Sequence, residues 1–215
     1  MLPRRVVLTM TIEGVSSRLI LASQSRSRRQ MLLAAGLSFE AIASSVDEPR
    51  VRRDLEASGG DVSPAGIARA LAIAKAEDVS RANPGALVIG GDQVLALGDR
   101  IFEKPADMEG ARAHLLAFRG RTHVLVSAVA LAKAGAVVWQ HVETASLTVR
   151  QFSAQFLDRY LAAVGEEVCS SVGAYQLEGL GAQLFERIEG DYFTILGLPL
   201  IALLGELRAR GMIDT

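Results

Sequence analysis

Short apolar runs alternate with helix-like stretches through the first half of the chain, and long β-rich runs take over in the second half. Residues 18–22 read as a buried strand, being apolar and too short for a helix. Ser23, Gln24 and Ser25 then offer N-caps for a helix over 26–35, with Gly36 suited to the position just beyond its end. A weaker alternation over 37–43 predicts a second strand, and the charged, glycine-containing stretch 46–62 reads as a loop. Ser63-Pro64 has the form of an N-cap followed by proline at the first helical position, opening a helix that runs to Ala82, where Asn83-Pro84-Gly85 breaks it. Residues 86–89 form another buried-strand run that delivers the chain to Gly90-Gly91-Asp92, read as a strand end.

Further on, residues 93–97 and 101–102 flank Gly98-Asp99 as a hairpin, and 107–118 read as a helix. The runs 122–132 and 137–149 form a second, longer hairpin around Gly135. Ser153 caps a helix to Val164, a glycine-dotted stretch covers 173–190, and a last helix spans 199–210. This mixture predicts an α/β fold: a mixed twisted sheet flanked by helices, in one domain over 18–215, with residues 1–17 as an extension ahead of it.

Composition narrows the function. With 23 Lys plus Arg against 24 Asp plus Glu, the net charge of -1 argues against a binder of nucleic-acid polymers or membrane surfaces. It leaves room for a local basic pocket. No apolar run approaches the roughly 20 residues a membrane span requires, and Glu13 ends the apolar stretch 6–12 too early for a secretory signal. The single cysteine, Cys169, allows no internal disulfide and points to a reducing, cytoplasmic setting.

Three clusters carry candidate chemistry. Ser23, Ser25, Arg28 and Arg29 sit where a strand meets a helix, and cations in a first helical turn oppose the macrodipole unless an anion sits there. The alternative is that the serines only cap and the arginines face solvent. Lys75 falls inside the apolar stripe of its helix, between Leu71 and Ala68, so it snorkels outward, pairs with Asp78, or enters a polar cavity. Asp92 after two glycines is placed to hold a divalent cation or to take a proton from water, or else it is a turn residue; Lys104-Pro105 follows the hairpin, where the ammonium either returns over Asp92 or stays on an exposed loop. His114, His123 and His141 lack metal-ligand spacing, and no Gly-x-Gly-x-x-Gly, Walker lysine loop or His-Glu-x-x-His is present.

In order, these pieces resemble the Maf (septum-formation inhibitor-like) family of nucleotide pyrophosphatases. The resemblance rests on Leu19-Ile20-Leu21-Ala22-Ser23-x-Ser25 with Arg28-Arg29, Val46-Asp47-Glu48, Ala74-Lys75-Ala76, Ile89-Gly90-Gly91-Asp92-Gln93-Val94, Lys104-Pro105 and Gly120-Arg121-Thr122-His123. It continues with Gly173-Ala174-Tyr175, Glu178-Gly179, Leu184-Phe185-Glu186-Arg187 and Gly197-Leu198-Pro199-Leu200. It implies a cleft between two lobes, akin to inosine-triphosphatase-like folds, and metal-dependent hydrolysis of a nucleoside triphosphate to monophosphate and pyrophosphate.

By that resemblance Asp92 is the proton acceptor, and Ser23, Ser25, Arg28, Arg29, Lys75 and Lys104 hold the triphosphate. Glu48 and Asp92 are the implied ligands of a divalent cation, Mg²⁺ or alternatively Mn²⁺. Gln93, Glu178 and the Leu-Phe-Glu-Arg block resemble the branch that prefers 7-methyl-GTP rather than the one that takes dTTP and UTP. The chain departs from the pattern at Arg26, where proline is usual, and at Ser27, where that branch carries an aromatic ring. A nucleotide-binding regulator of cell division without turnover is the alternative reading, and a sugar-phosphate binder a third. Residues 124–126 and 137–139 are candidates for either core or a homodimer face.

Overall fold

The computed structural model describes residues 18–214, so the extension expected over 1–17 lies outside the described residues. Its organising strand is β3 (Leu87–Leu97), which runs 11 residues straight through Gly90 and Gly91 instead of ending there. On one side β3 pairs along its length with β5 (Thr122–Lys133), antiparallel, with Asp92 opposite Ala128. β6 (Ala136–Val149) pairs antiparallel with β5, and β7 (Phe185–Glu189) with β6. On its other side β3 meets β1 (Leu19–Leu21) in parallel at Leu87 to Ile89, and β4 (Arg100–Phe102) antiparallel at Leu95 to Leu97. A two-residue strand β2 (Glu40–Ala41) extends β1, shorter than the alternation over 37–43 predicted. The result is a seven-stranded mixed sheet.

The period-two geometry of β3 sorts its residues between two faces. The even positions Val88, Gly90, Asp92, Val94 and Ala96 face α3 (Pro64–Ala82), whose Ala68, Leu71, Ala72 and Ala76 pack on Val94, Val126, Ala128, Ala130 and Ala132. The odd positions carry two separate apolar clusters. Leu87 and Ile89 join Val129 and Leu131 under α1 (Arg26–Ala34) and α7 (Leu200–Ala209). Leu95 and Leu97 join Leu125 and Leu147 under α4 (Met108–Phe118) and α5 (Ala154–Val164). Between the two clusters on the same face lie Gly91, Gln93 and, on β5, Ser127, so the seam between them is polar. The cleft expected from the resemblance lies along this seam.

The capping residues match the sequence reading at Ser25, Ser63 and Ser153, which each accept a backbone N–H in the first turn of α1, α3 and α5, while Asp107, read as the first residue of its helix, caps α4 in the same way. The stretch 46–62 departs from it. Instead of a loop it forms α2 (Glu48–Ala57), capped by Asp47 and carrying Pro49 in its first turn. α2 has no fully buried residue, and only Val51 and Leu55, one turn apart, pack against the α3 cluster, too narrow a stripe to stand out among its charges. The glycine-dotted stretch likewise contains β7 and a short 3₁₀ turn (Leu180–Leu184), with a second 3₁₀ turn (Gly165–Ser170) just ahead of it and the one-turn helix α6 (Tyr192–Ile195) just after. Of the runs left open between core and interface, Leu125 and Val126 are core, whereas Val138 is exposed.

Gly90 sets the distance between sheet and helix. A Cβ built there would stand 2.2 Å from the Ala72 carbonyl oxygen and 2.7 Å from the Ala76 nitrogen, both backbone atoms of α3. Gly90→Ala is therefore expected to destabilise the fold by about 3 kcal/mol or more, because rigid backbone must move. Gly205→Ala provides the contrast: it sits within α7 with nothing near its Cβ position, and is expected to stabilise by about 0.5–1 kcal/mol. Urea denaturation of the two variants checks both signs.

His123 supplies a pH prediction. It is buried, bonded through Nε2 to the Tyr175 hydroxyl at 2.6 Å, and burial lowers its pKa to about 4. The folded state thus favours the neutral ring, and the stability this represents is complete above the ordinary value of about 6.5 and is lost as pH falls from there through 4. The expected loss is about 3 kcal/mol. It is read as the difference in unfolding free energy between the wild type and His123→Phe, which should shrink by that amount between pH 7 and pH 4.

Candidate active site

β1 covers the edge of β3 only to Ile89 and β4 covers it only from Leu95, so Gly90 to Val94 have no strand beside them on that edge. A cavity of about 700 Å³ opens at this gap. Because the gap exposes both faces of the strand, Asp92 from the α3 face and Gln93 from the opposite face line the same space. Asp92 is therefore a mid-strand residue rather than a strand-end one.

The close approach at Gly90 brings Lys75 of α3 onto Asp92. Lys75 Nζ lies 2.6 Å from Asp92 Oδ1 and 2.7 Å from Glu48 Oε1, with both the Lys75 and Asp92 side chains largely buried. Of the three placements the sequence left open for Lys75, this is the polar cavity; Asp78 instead accepts from the Ser45 amide and hydroxyl. Burial pushes the Asp92 carboxyl above its ordinary value, against the opposing pull of Lys75 and Arg28. Glu48 arrives from the first turn of α2, the helix that the sequence did not reveal.

Arg28 approaches from the other face. Its Nε donates to the Gly197 carbonyl at 2.8 Å and its Nη1 to Ser23 Oγ at 3.3 Å, and it lies against Gly91. Gly197 has φ +101, a conformation that favours glycine, and this turn is what aims its carbonyl at Arg28. Burial pulls the Arg28 guanidinium below its ordinary value, opposed by the nearby charges of Asp92 and Glu48. Ser25 uses its hydroxyl to cap α1, and Ser23 accepts from the Ser25 amide at 3.1 Å. Capping and cation placement thus coexist at this junction.

Gln93 is held by its amide nitrogen alone. Nε2 donates to Ser127 Oγ, to the Thr194 carbonyl and to the Ile195 carbonyl, all within 3.1 Å. Ser127 in turn donates to the Thr194 carbonyl at 2.7 Å, which fixes it as the acceptor for Gln93. With every donor committed, Gln93 Oε1 is the atom left to accept from a ligand.

Of the residues singled out from sequence, Ser25, Ser27, Arg28, Glu48, Lys75, Asp92, Gln93, Lys104 and Glu178 line the cavity. Ser23 stands behind Arg28, and Arg29 is exposed on α1 outside the lining. The lining also includes Tyr175, from the Gly173-Ala174-Tyr175 motif, and two residues that the sequence did not flag, Arg52 and Glu103, joined at 2.9 Å. Arg52 lies four residues after Glu48, a spacing that becomes meaningful only once 48–57 is known to be helical. Glu48 and Asp92 converge on one cationic point, the ammonium of Lys75, so their oxygens suit a hard divalent cation. Among the described residues no third His, Cys, Asp or Glu joins such a group, and no helix is long and apolar enough to cross a membrane.

Comparison with known proteins places this geometry in a family. A 7-methyl-GTP pyrophosphatase of Rhizobium meliloti is 58% identical over 196 residues, 91% of this chain and 98% of that protein. One from Mesorhizobium japonicum is 56% identical over 200 residues, 93% of this chain and 100% of that protein. A nucleoside triphosphate pyrophosphatase of Granulibacter bethesdensis is 54% identical over 191 residues, 89% of this chain and 96% of that protein. A solved HAM1 protein from Coxiella burnetii aligns at TM-score 0.40 and 18% identity over 61% of this chain and 72% of its own, too loosely to bear on fold or site. The family model described as Maf-like protein matches residues 18–210, and the chain belongs to the Maf family.

Proposed function

We propose that this chain hydrolyses a nucleoside triphosphate between the α and β phosphates, releasing nucleoside monophosphate and pyrophosphate, with 7-methyl-GTP as the favoured substrate. The observation that carries this reading is the buried Asp92–Lys75–Glu48 cluster beside Arg28, at a gap in the sheet large enough for a nucleotide. The names of relatives above 50% identity, 7-methyl-GTP pyrophosphatase and nucleoside triphosphate pyrophosphatase, support it.

In this mechanism Asp92 takes a proton from a water whose oxygen attacks the α-phosphorus in line. The bond from that phosphorus to the bridging oxygen breaks, and pyrophosphate leaves with the electron pair. A carboxyl whose pKa is raised by burial is a stronger base when ionised, and Lys75 at 2.6 Å keeps it ionised and oriented. Arg28, Lys75 and Lys104 neutralise phosphate charge, and Ser23 holds the guanidinium of Arg28 in position. Glu48 and Asp92 would hold a divalent cation, Mg²⁺ by the hardness of their oxygens. Bound there, it supplies charge neutralisation to the triphosphate.

Base preference follows from acceptors. Gln93 and Glu178 both line the cavity, and guanine offers N1–H and N2–H₂ donors to a pair of acceptors such as Gln93 Oε1 and the Glu178 carboxylate. A pyrimidine triphosphate offers fewer, so one acceptor would be left unpaired.

Two outcomes test the proposal. Asp92→Asn should lower turnover by about 10²–10⁴-fold while its circular dichroism and cooperative melting are retained. In a panel of dTTP, UTP, GTP and 7-methyl-GTP with Mg²⁺, pyrophosphate release should be greatest with 7-methyl-GTP. Full activity in the variant removes Asp92 from the mechanism. Orthophosphate as the first product moves the cleavage site, and binding without turnover favours a regulatory role.

A further inference from the structure

The charged groups lining the cavity cancel. Arg28, Arg52, Lys75 and Lys104 face Glu48, Asp92, Glu103 and Glu178, and two of the cations, Lys75 and Arg52, are already engaged by carboxylates. The pairs differ in how firmly they are held. Lys75 is buried between two carboxylates, one of them buried as well, whereas the partner of Arg52 is Glu103, whose side chain is 75% exposed. An ion pair with one carboxylate in open solvent is worth little, so exchange of that carboxylate for a phosphate costs little.

Position adds to this. Arg52 follows Glu48 by one turn on the same face of α2, about 6 Å along the helix axis. Glu48 shares Lys75 with Asp92, so Arg52 stands one step outward from the reacting centre. Glu103, the partner of Arg52, precedes Lys104 in the chain, and both line the cavity. A guanidinium in the lining one turn from Glu48 is available to the β- and γ-phosphates of a triphosphate whose α-phosphorus lies at Asp92.

We infer that Arg52 is a further substrate-binding residue, which releases Glu103 to bind the pyrophosphate portion of the triphosphate, and that Glu103 weakens substrate binding by competing for it. The inference rests on the reaction proposed above. No motif quoted for the family contains Arg52, and α2 became visible only in the structure.

A structural ion pair and a competed phosphate ligand give opposite signatures. If Glu103 competes, its removal and the removal of Arg52 must act in opposite directions. Inorganic pyrophosphate, titrated calorimetrically in Mg²⁺ buffer into the full chain, is the direct probe. Arg52→Met should weaken its binding about tenfold, the value of a partly exposed charge-assisted contact. Arg52→Lys should recover part of the loss, and Glu103→Gln should tighten binding about threefold. KM for the nucleotide should move with these constants, while affinity for the nucleoside monophosphate should not change.

If the wild type binds and hydrolyses but Arg52→Met binds pyrophosphate equally well, the inference fails and the proposed reaction stands. Weakening in both Arg52→Met and Glu103→Gln also overturns it, since that is the mark of a structural pair. If Arg52→Met does not fold, the direction of the Glu103→Gln shift decides. A wild type that neither binds pyrophosphate nor releases it from any triphosphate overturns both readings together.

Discussion

The contact between Lys75 and Asp92 depends on two backbones lying closer than any side chain would allow. Gly90 lets α3 settle against β3 with no Cβ between them, and the alanines at positions 68, 72 and 76 keep that approach continuous along the helix. From that spacing the rest follows. Lys75 reaches the strand residue two places beyond Gly90, Glu48 completes its coordination from α2, and the carboxylate becomes both buried and charge-compensated. Lys75 and Asp92 are costly to bury singly, and together they hold one another in place.

On the opposite face of the strand a second constraint operates. Two apolar clusters grip the sheet at either end, and between them the face carries Gly91, Gln93 and Ser127. That seam ties the C-terminal turn of α6 to β3 and β5 through three hydrogen bonds, with the Thr194 and Ile195 carbonyls as acceptors. The same turn presents the Gly197 carbonyl to Arg28. The cation and the acceptor on this side of the cavity are thus aligned by one piece of irregular backbone, which explains why these groups come from segments far apart in the chain.

Much of this was legible in the sequence where burial leaves a pattern. The strands around Ile20, Val88 and Leu125, the caps at Ser25, Ser63 and Ser153, and the two hairpins all carry apolar periodicity or turn chemistry of their own. α2 was not legible, because a helix with no buried residue and Pro49 near its start looks like a charged loop. β7 exposes most of its length and is recognised only by its pairing to β6. Gly90-Gly91 looked like a strand end because glycine signals a turn as readily as a close approach, and only the position of α3 separates the two. In the site, Lys75 was visible as a polar intrusion in an apolar stripe, while its partners were not, since a wheel gives direction and not distance. Arg28 and Arg29 are adjacent in sequence and similar in chemistry, yet one is aimed into the cavity and the other is exposed, a distinction set by the roughly 100° between neighbours on α1 and held by the Gly197 carbonyl that Arg28 reaches.

Hydrolysis in water enriched in heavy oxygen tests the central claim most directly, because the position of the label reports which phosphorus the activated water attacked. With Asp92 serving the α-phosphorus, mass spectrometry should find the heavy oxygen in the nucleoside monophosphate and none in pyrophosphate. Label in the pyrophosphate would mean attack at the β-phosphorus and would contradict the geometry assigned to Asp92, Lys75 and Arg28.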